Sequence, residues 1–266
     1  MPTILKREFA PVSENAWAEI DNEAADAIRN VITSRKVVDF NGPFGWELGA
    51  VNTGRLELES KGKDQLCWGI RKTQSLIEVR EPFVLKQMEI DNLTRGSSDV
   101  DLDPVQEVAA KAAVFEDKVI YQGFKEAGIT GIIEASEHDK IKLPESASKY
   151  PAAVAKAVKA LTSAGITGPF NLVLSADQYY ELMGAAGGGY PPYRTVSDLL
   201  AGGEIILSKA VDGGVLLSGR GGDFELTVGK DFSVGYASHN KTDVEFFITE
   251  SFTFRVLEPK AAAVFG

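Results

Sequence analysis

The chain has a single cysteine, Cys67, among 266 residues. No intrachain disulfide can form, and a reducing cytoplasm is the expected home. No stretch approaches the roughly 18 consecutive apolar residues that span a membrane, so no membrane partner is expected. The opening MPTILKREFAPVSENAW is interrupted by charges and by Pro11, and it lacks an apolar signal-peptide core. Histidine is nearly as scarce. His138 and His239 sit in polar contexts, SEHDK and ASHNK, that read as exposed turns. Neither belongs to an HExxH, paired-cysteine or EF-hand pattern, so no metal site is expected. Positive charge is in deficit: 28 Lys and Arg against 38 Asp and Glu leave a net charge of −10. That balance disfavours nucleic acid as a partner.

Catalytic patterns are missing too. There is no G-x-S-x-G elbow. Gly229-Lys230 is followed by Asp231, and Phe224 stands where a phosphate loop needs glycine. Gly184 to Gly189 does not match G-x-G-x-x-G. Cys67, beside Trp68 in a strand-like run, reads as a structural thiol with no base fixed near it. Nothing pairs two carboxylates for acid–base work. The expectation is a protein that is not an enzyme.

What remains is a globular composition, 44% hydrophobic and 25% charged, enough for one large domain or two modest ones. Ser218 to Val256 reads as an antiparallel meander. Phe224, Leu226 and Val228 alternate with Glu225, Thr227 and Gly229, then Phe232, Val234 and Tyr236 alternate again. Val244 to Val256 is the longest strand-like run. Near the start, Ser13 caps a helix over Glu14–Thr33, with Trp17, Ile20, Ala24, Ile28 and Val31 on one face. Val37 to Glu47 reads as an irregular buried connection. Gly54 to Leu85 reads as a long hairpin, turning at Ser60 to Asp64, with one apolar face. Little sequence nearby could cover that face, and a neighbouring subunit is the economical cover.

Asp91 to Asp99 reads as a polar turn. Asp103 then caps a long helix with Pro104 at its first position, ended by Gly128. Gly131-Ile132-Ile133 reads as extended. A helix over Ser148–Ala164, a buried strand at Phe170–Leu174 and a short helix at Asp177–Met183 follow. A glycine-rich loop from Gly184 to Tyr193, a helical turn at Val196–Leu200, and strands at Glu204–Leu207 and Val215–Ser218 complete the middle third. That third reads as a separate α/β unit, inserted between the long helix and the C-terminal sheet.

Ten blocks carry a resemblance: LKREFAPVSENAWAEID, RKVVDFNGPFGWE, WGIRKTQSLIEVR, EIDNLTRG, VDL, FEDKVIYQGF, AGITGI, GITGPFNLVLS, GGDFELTVGKDFSVGY and FFITESFTFRV. In this order, over essentially the whole length, the sequence resembles the encapsulin shell proteins of the linocin-like family (family 1). The resemblance implies an α+β architecture, the HK97-like phage-capsid fold. Residues 1–50 would be the N-terminal helix and part of a peripheral domain, and 51–85 the extended loop. Residues 86–130 would be the peripheral domain with its spine helix, 131–218 an axial domain, and 219–266 the peripheral C-terminal sheet and tail.

The resemblance also implies the function: self-assembly into a hollow icosahedral compartment in the cytoplasm, of about sixty copies in the simplest shell. It would enclose a cargo enzyme, a ferritin-like iron oxidase or a dye-decolourising peroxidase, for iron storage or oxidative-stress defence. The cargo would dock by a short C-terminal peptide. The positions implied for that dock are Ile28, Ile32, Arg35, Asp39, Val234, Tyr236 and Phe247. The positions implied for a five-fold pore are Gly184, Ala185, Ala186, Gly187, Gly188, Gly189 and Tyr190. Some family members stack flavin on a tryptophan; Met88 holds that place here, with Arg80 nearby, so no cofactor is expected. Two other readings share the resemblance. One is a phage-type capsid protein packaging DNA; the other is an antibacterial or proteolytic linocin-like protein.

Overall fold

The computed structural model describes residues 4–59, 66–185 and 189–266. Helix α1 (Glu14–Val31) is followed by β1 (Asp39–Asn41), the hairpin strands β2 (Ala50–Glu59) and β3 (Trp68–Ser75), and β4 (Ile77–Lys86). Next come α2 (Gln87–Thr94), the long helix α3 (Asp103–Gln122) and a two-residue pair, β5 (Gly123–Phe124) with β6 (Ile129–Thr130). The middle of the chain gives α4 (Ile132–Ala135), α5 (Tyr150–Ser163), β7 (Phe170–Leu174), α6 (Ala176–Gly184), α7 (Pro192–Leu199), β8 (Ile205–Leu207) and β9 (Gly214–Ser218). The chain closes with β10 (Phe224–Val228), β11 (Ser233–His239), β12 (Asp243–Val256) and β13 (Ala262–Phe265).

The long apolar run β12 is the axis of the first sheet. One edge pairs with β4 from Asp243↔Lys86 to Phe252↔Ile77. The other edge takes β11 along its first half and β10 along its second, and β1 adds in parallel to β10. Two-residue periodicity sends Phe246 and Ile248 to the face that α1 and α3 cover, and Phe247 to the other. On the covered face, Phe246 meets Trp17 edge-on and stacks on Phe83, both with centroids 5.4 Å apart. Ser13 caps α1, its Oγ accepting from the Ala16 N–H at 3.3 Å. The second sheet runs β13-β9-β7-β8, and its buried core continues into β10 and β12.

Several elements differ from the sequence reading, each for a tertiary reason. Residues 77–86 leave the hairpin and pair with β12, because Phe83 and Leu85 are buried beneath the helices. The start of the supposed turn at Asp91 is the end of α2, whose Ile90 and Leu93 are buried. Helix α3 starts with Asp103 inside it, Leu102 as its N-cap, and stops at Gln122, with Gly123 at φ 95°. Gly128, at φ 65°, closes the 3-10 turn that follows. At ~1.5 Å per residue the helix is about 30 Å long. Ile132-Ile133 is helical in α4 and not extended, with Ile132 buried. The tail does not stay with the C-terminal sheet: β13 crosses to pair with β9.

The hairpin also differs. Its register sets Leu58 opposite Gly69, Leu56 opposite Arg71 and Glu57 opposite Ile70. Facing residues share a side, so Leu56 and Leu58 lie on one face, Trp68 and Ile70 on the other. The hairpin is apolar on both faces. Leu58 is 67% exposed and Trp68 49%. Residues 60–64, read as its turn, lie outside the described residues. Cys67 is an exposed thiol just before β3, not a buried structural one.

One polar group joins the parts. Asp117, in the middle of α3, is 1% exposed. Its carboxylate accepts from the Thr33 N–H at 2.9 Å, the Ser34 N–H at 2.8 Å and the Thr33 hydroxyl at 2.6 Å. Thr33 Oγ1 also meets Ser208 Oγ at 2.9 Å, beyond β8. The end of α1, the long helix and the second sheet are thus held at one carboxylate. Burial pushes this carboxyl above its ordinary range, against the pull of the hydrogen bonds. Asp117→Ala orphans buried donors, so we expect a stability loss of about 3 kcal/mol, read by urea unfolding. A loss within error of zero would contradict this joint.

Candidate functional site: a groove between the first helix and the sheet edge

A groove of about 500 Å³ runs between α1 and β11. Ala24 and Ile28 of α1 face Val234 of β11 and Ile248 of β12 across its apolar floor. Arg7, Asp21, Arg29, Arg35, Lys230 and Asp231 supply the charged rim. Two small residues of α1, Ala24 and Ala25, are among those that line the groove. Its open side is the edge of β11, where backbone groups point away from β12 and can pair with an added strand.

Arg35 stands at the rim but is committed inward. Its Nη2 meets Glu116 Oε2 and Glu250 Oε1 at 2.6 Å each, and Asp231 Oδ1 at 3.0 Å. The guanidinium also lies 5.0 Å from the ring centroids of Phe40 and Phe232. Glu116 is 0% exposed and Glu250 1%. One cation thus faces two buried carboxylates and one at the rim. Glu250 Oε2 has no hydrogen-bond partner among the described residues. Burial, with the Glu116 charge beside it, pushes the Glu250 carboxyl well above its ordinary value. Arg35 is held charged by the carboxylates, whose pull outweighs the opposing effect of burial.

The structure distributes the implied docking residues over several places. Ile28, Arg35 and Val234 line the groove. Tyr236 and Phe247 line a different cleft of about 340 Å³, where the Arg80 guanidinium covers the Phe247 ring at 4.2 Å. Asp39 belongs to a third hollow, where Oδ2 accepts from the Gly222 N–H at 2.6 Å. Ile32 is buried at the end of α1. Sequence reasoning missed Leu5, Arg7, Asp21, Phe232 and Ile248 as lining residues. Of the implied pore positions, Gly184 ends α6, Ala185 follows it, and Gly189 and Tyr190 precede α7. The Tyr190 hydroxyl donates to Asp198 at 2.7 Å. Ala186, Gly187 and Gly188 lie outside the described residues. Met88 is exposed in the first turn of α2, not on a strand, and takes a contact from Arg95 at 3.6 Å.

Elsewhere, His138 is half-buried, not in an open turn, and bonds the Lys260 carbonyl; His239 is exposed and ends β11 with its ring against the Tyr236 hydroxyl. Among the described residues no acidic, histidine or cysteine trio is placed to hold a metal, and no helix is long and apolar enough to cross a membrane.

Comparison with known proteins decides what this architecture is. The profile of the linocin family, described as "Encapsulating protein for peroxidase", matches residues 2–253. The chain belongs to that family. The type 1 encapsulin shell protein of Rhodospirillum rubrum is 43% identical over 97% of this chain and 94% of its own. A virus-like particle from Pyrococcus furiosus shares the fold at TM-score 0.67 and 16% identity, over 94% of this chain and 99% of that one. The capsid of cyanophage P-SCSP1u does so at TM-score 0.54 and 9% identity, over 88% and 87%. The fold is thus the HK97-like capsid fold. The chain is a self-assembling encapsulin shell protein, like relatives that are structural proteins and not enzymes. Neither the DNA-packaging capsid nor the antibacterial or proteolytic reading is favoured, since the close relatives are shell proteins.

The Arg35 cluster yields two predictions. Arg35→Ala strands two buried carboxylates, so stability should fall by about 3–5 kcal/mol. Soluble, fully stable shells lacking only cargo would instead make Arg35 a recognition residue. For Glu250, the folded carboxyl holds a proton that the unfolded chain releases above about pH 4.5. Its contribution is therefore present at low pH and lost as pH rises through the raised folded value. Glu250→Gln should match wild type near pH 4 and melt higher near pH 8; an unchanged pH slope would refute the assignment.

Proposed function

We propose that the α1–β11 groove receives a short C-terminal peptide of a cargo protein. The observation that supports this is an apolar floor, Ile28, Val234 and Ile248, opening onto a strand edge. Such a site binds an extended chain by backbone pairing and selects it by apolar pockets. Arg35 acts here as the neutraliser of the groove's buried acids. Ile32 supports the end of α1 from below, and Asp39 fixes the loop that carries β10. Tyr236 and Phe247 sit beyond the groove's Leu5 end, where a longer peptide would reach them.

The cargo is a ferritin-like iron oxidase or a dye-decolourising peroxidase, and the description of the family favours the peroxidase. About sixty copies close the simplest shell, which resides in the cytoplasm. The hairpin, apolar on both faces, lies on neighbouring copies. The positions from Gly184 to Tyr190 are assigned to the five-fold opening, where residue types this small suit the passage of ions and small substrates.

Ile28→Asp puts a charge on the groove floor. We expect intact megadalton shells by light scattering that carry less than about a tenth of the wild-type cargo, since burying an unpaired carboxylate costs several kcal/mol. Normal loading in intact shells would remove the groove from the docking function.

A further inference from the structure

The edge of β11 is already partly taken. The Tyr236 N–H donates to the Leu5 carbonyl at 2.8 Å, and Arg7 Nε donates to the Val234 carbonyl at 2.8 Å. Both β11 groups point away from β12, so they are the groups an added peptide strand would use. On its other side Arg7 is tied to α1. Nη1 donates to Asp21 Oδ2 at 2.8 Å, Nη2 bonds Asp21 Oδ1, and the guanidinium lies 4.2 Å from the Trp17 ring centroid. Leu5 and Arg7 thereby wall one end of the groove.

This wall is built to be weak. The ion pair that holds it is part exposed, 31% at Arg7 and 42% at Asp21, and such pairs contribute little net stability. Lys6, between the two contacts, has φ 52°, a left-handed conformation that costs a residue with a side chain. No residue of the Arg7–Phe9 turn is buried, and Ile4 is exposed. Polar contacts and not apolar burial hold the segment, the mark of a part that opens without global unfolding.

We propose that Ile4–Arg7 is a strap that competes with the cargo peptide for the β11 edge, latched by the Arg7 guanidinium and displaced on docking. The inference rests on the groove being the cargo site. In this arrangement an empty shell protects its own strand edge, and a peptide must pair well enough to replace the strap's two bonds. Weak, unselective apolar peptides fail that threshold.

The test uses full-length shells, disassembled and reassembled with a fluorescent synthetic peptide of residues 4–12, the strap offered in trans. Arg7→Ala opens the latch from the strap, and Asp21→Asn loosens it from α1 should the first variant fold poorly. Probe binding, read by anisotropy, should tighten about tenfold, the order of one charge-assisted hydrogen bond, in Arg7→Ala, which leaves Asp21 free for the probe's own Arg7. Asp21→Asn weakens strap and probe alike, so its readout is cargo: co-purifying cargo per shell should rise in both variants. Equal probe binding in wild type and Arg7→Ala, or less cargo in intact shells of either variant, overturns the proposal and makes the segment a fixed wall. The two readings fail separately. Loss of cargo in Ile28→Asp without probe discrimination sinks the strap alone. Probe discrimination with normal Ile28→Asp loading shows a displaceable edge that has nothing to do with cargo, and the competition falls with the docking site.

Discussion

Two adjacent carboxylates in the middle of α3 set the terms for the rest of the molecule. Glu116 and Asp117 are both buried, and ionised groups at that depth demand donors or counter-charge. Adjacent helical residues point about 100° apart, so the pair reaches in two directions. Asp117 gathers the backbone of Thr33 and Ser34. Glu116 takes Arg35, and through it Glu250 of β12. The segment from Thr33 to Arg35 therefore has little freedom in where it lies. It fixes where α1 ends, where β1 begins, and how far the helix stands from the sheet. The groove is the space that this spacing leaves.

That origin limits what the groove offers a partner to apolar surface and backbone groups. Its best-placed cation is consumed by internal acids, so Arg35 cannot offer a free charge to a ligand. Arg7 is likewise occupied by Asp21 and Val234. What is left for a partner is the floor of Ile28, Val234 and Ile248 and the polar edge of β11. Apolar pockets discriminate by size and shape, each methylene contributing about 0.8 kcal/mol. Edge pairing supplies affinity with little regard to sequence. A short tag with a few apolar anchors suits such a site, and the same tag can be carried by unrelated folded proteins.

Much of the fold is legible in the sequence because its periodicities are clean. The alternation from Phe224 to Tyr236 gives β10 and β11, and the stripe from Trp17 to Ile28 gives α1. The misses share one cause. Asp91 to Thr94 is polar enough to read as the start of a turn, and only burial of Ile90 and Leu93 keeps it in the helix. Ile132-Ile133 has β-branched chemistry, yet packing overrides that propensity. The hairpin's two apolar faces hid behind a one-residue choice of register, which alternation within each strand cannot fix. The site was less legible still. Arg7 reaches partners 14 and 227 residues away, and no local pattern announces such contacts. Arg35 was legible as important, but its role depends on Glu116 and Glu250, neither of which stands out in sequence.

The doubly apolar hairpin is the part of the single chain that the proposed shell packing would use. A two-stranded ribbon is marginal by itself, and this one holds its body through contacts near its base, such as the Arg255 guanidinium on the Asn52 carbonyl at 3.2 Å and the Gln74 amide on the Ala127 carbonyl at 3.3 Å. Beyond them Leu56, Leu58, Trp68 and Ile70 stand in solvent. Covering a large apolar side chain is worth about 1.5–3 kcal/mol, so under the proposed packing on neighbouring copies these four side chains would contribute several kcal/mol. A hairpin apolar on one face would be satisfied by a single neighbour. Two apolar faces would take cover above and below, and that packing would tie each subunit to more than one partner. Repeated by symmetry, contacts that are modest singly become a closed surface, and assembly is favoured over the free chain without any strong individual bond.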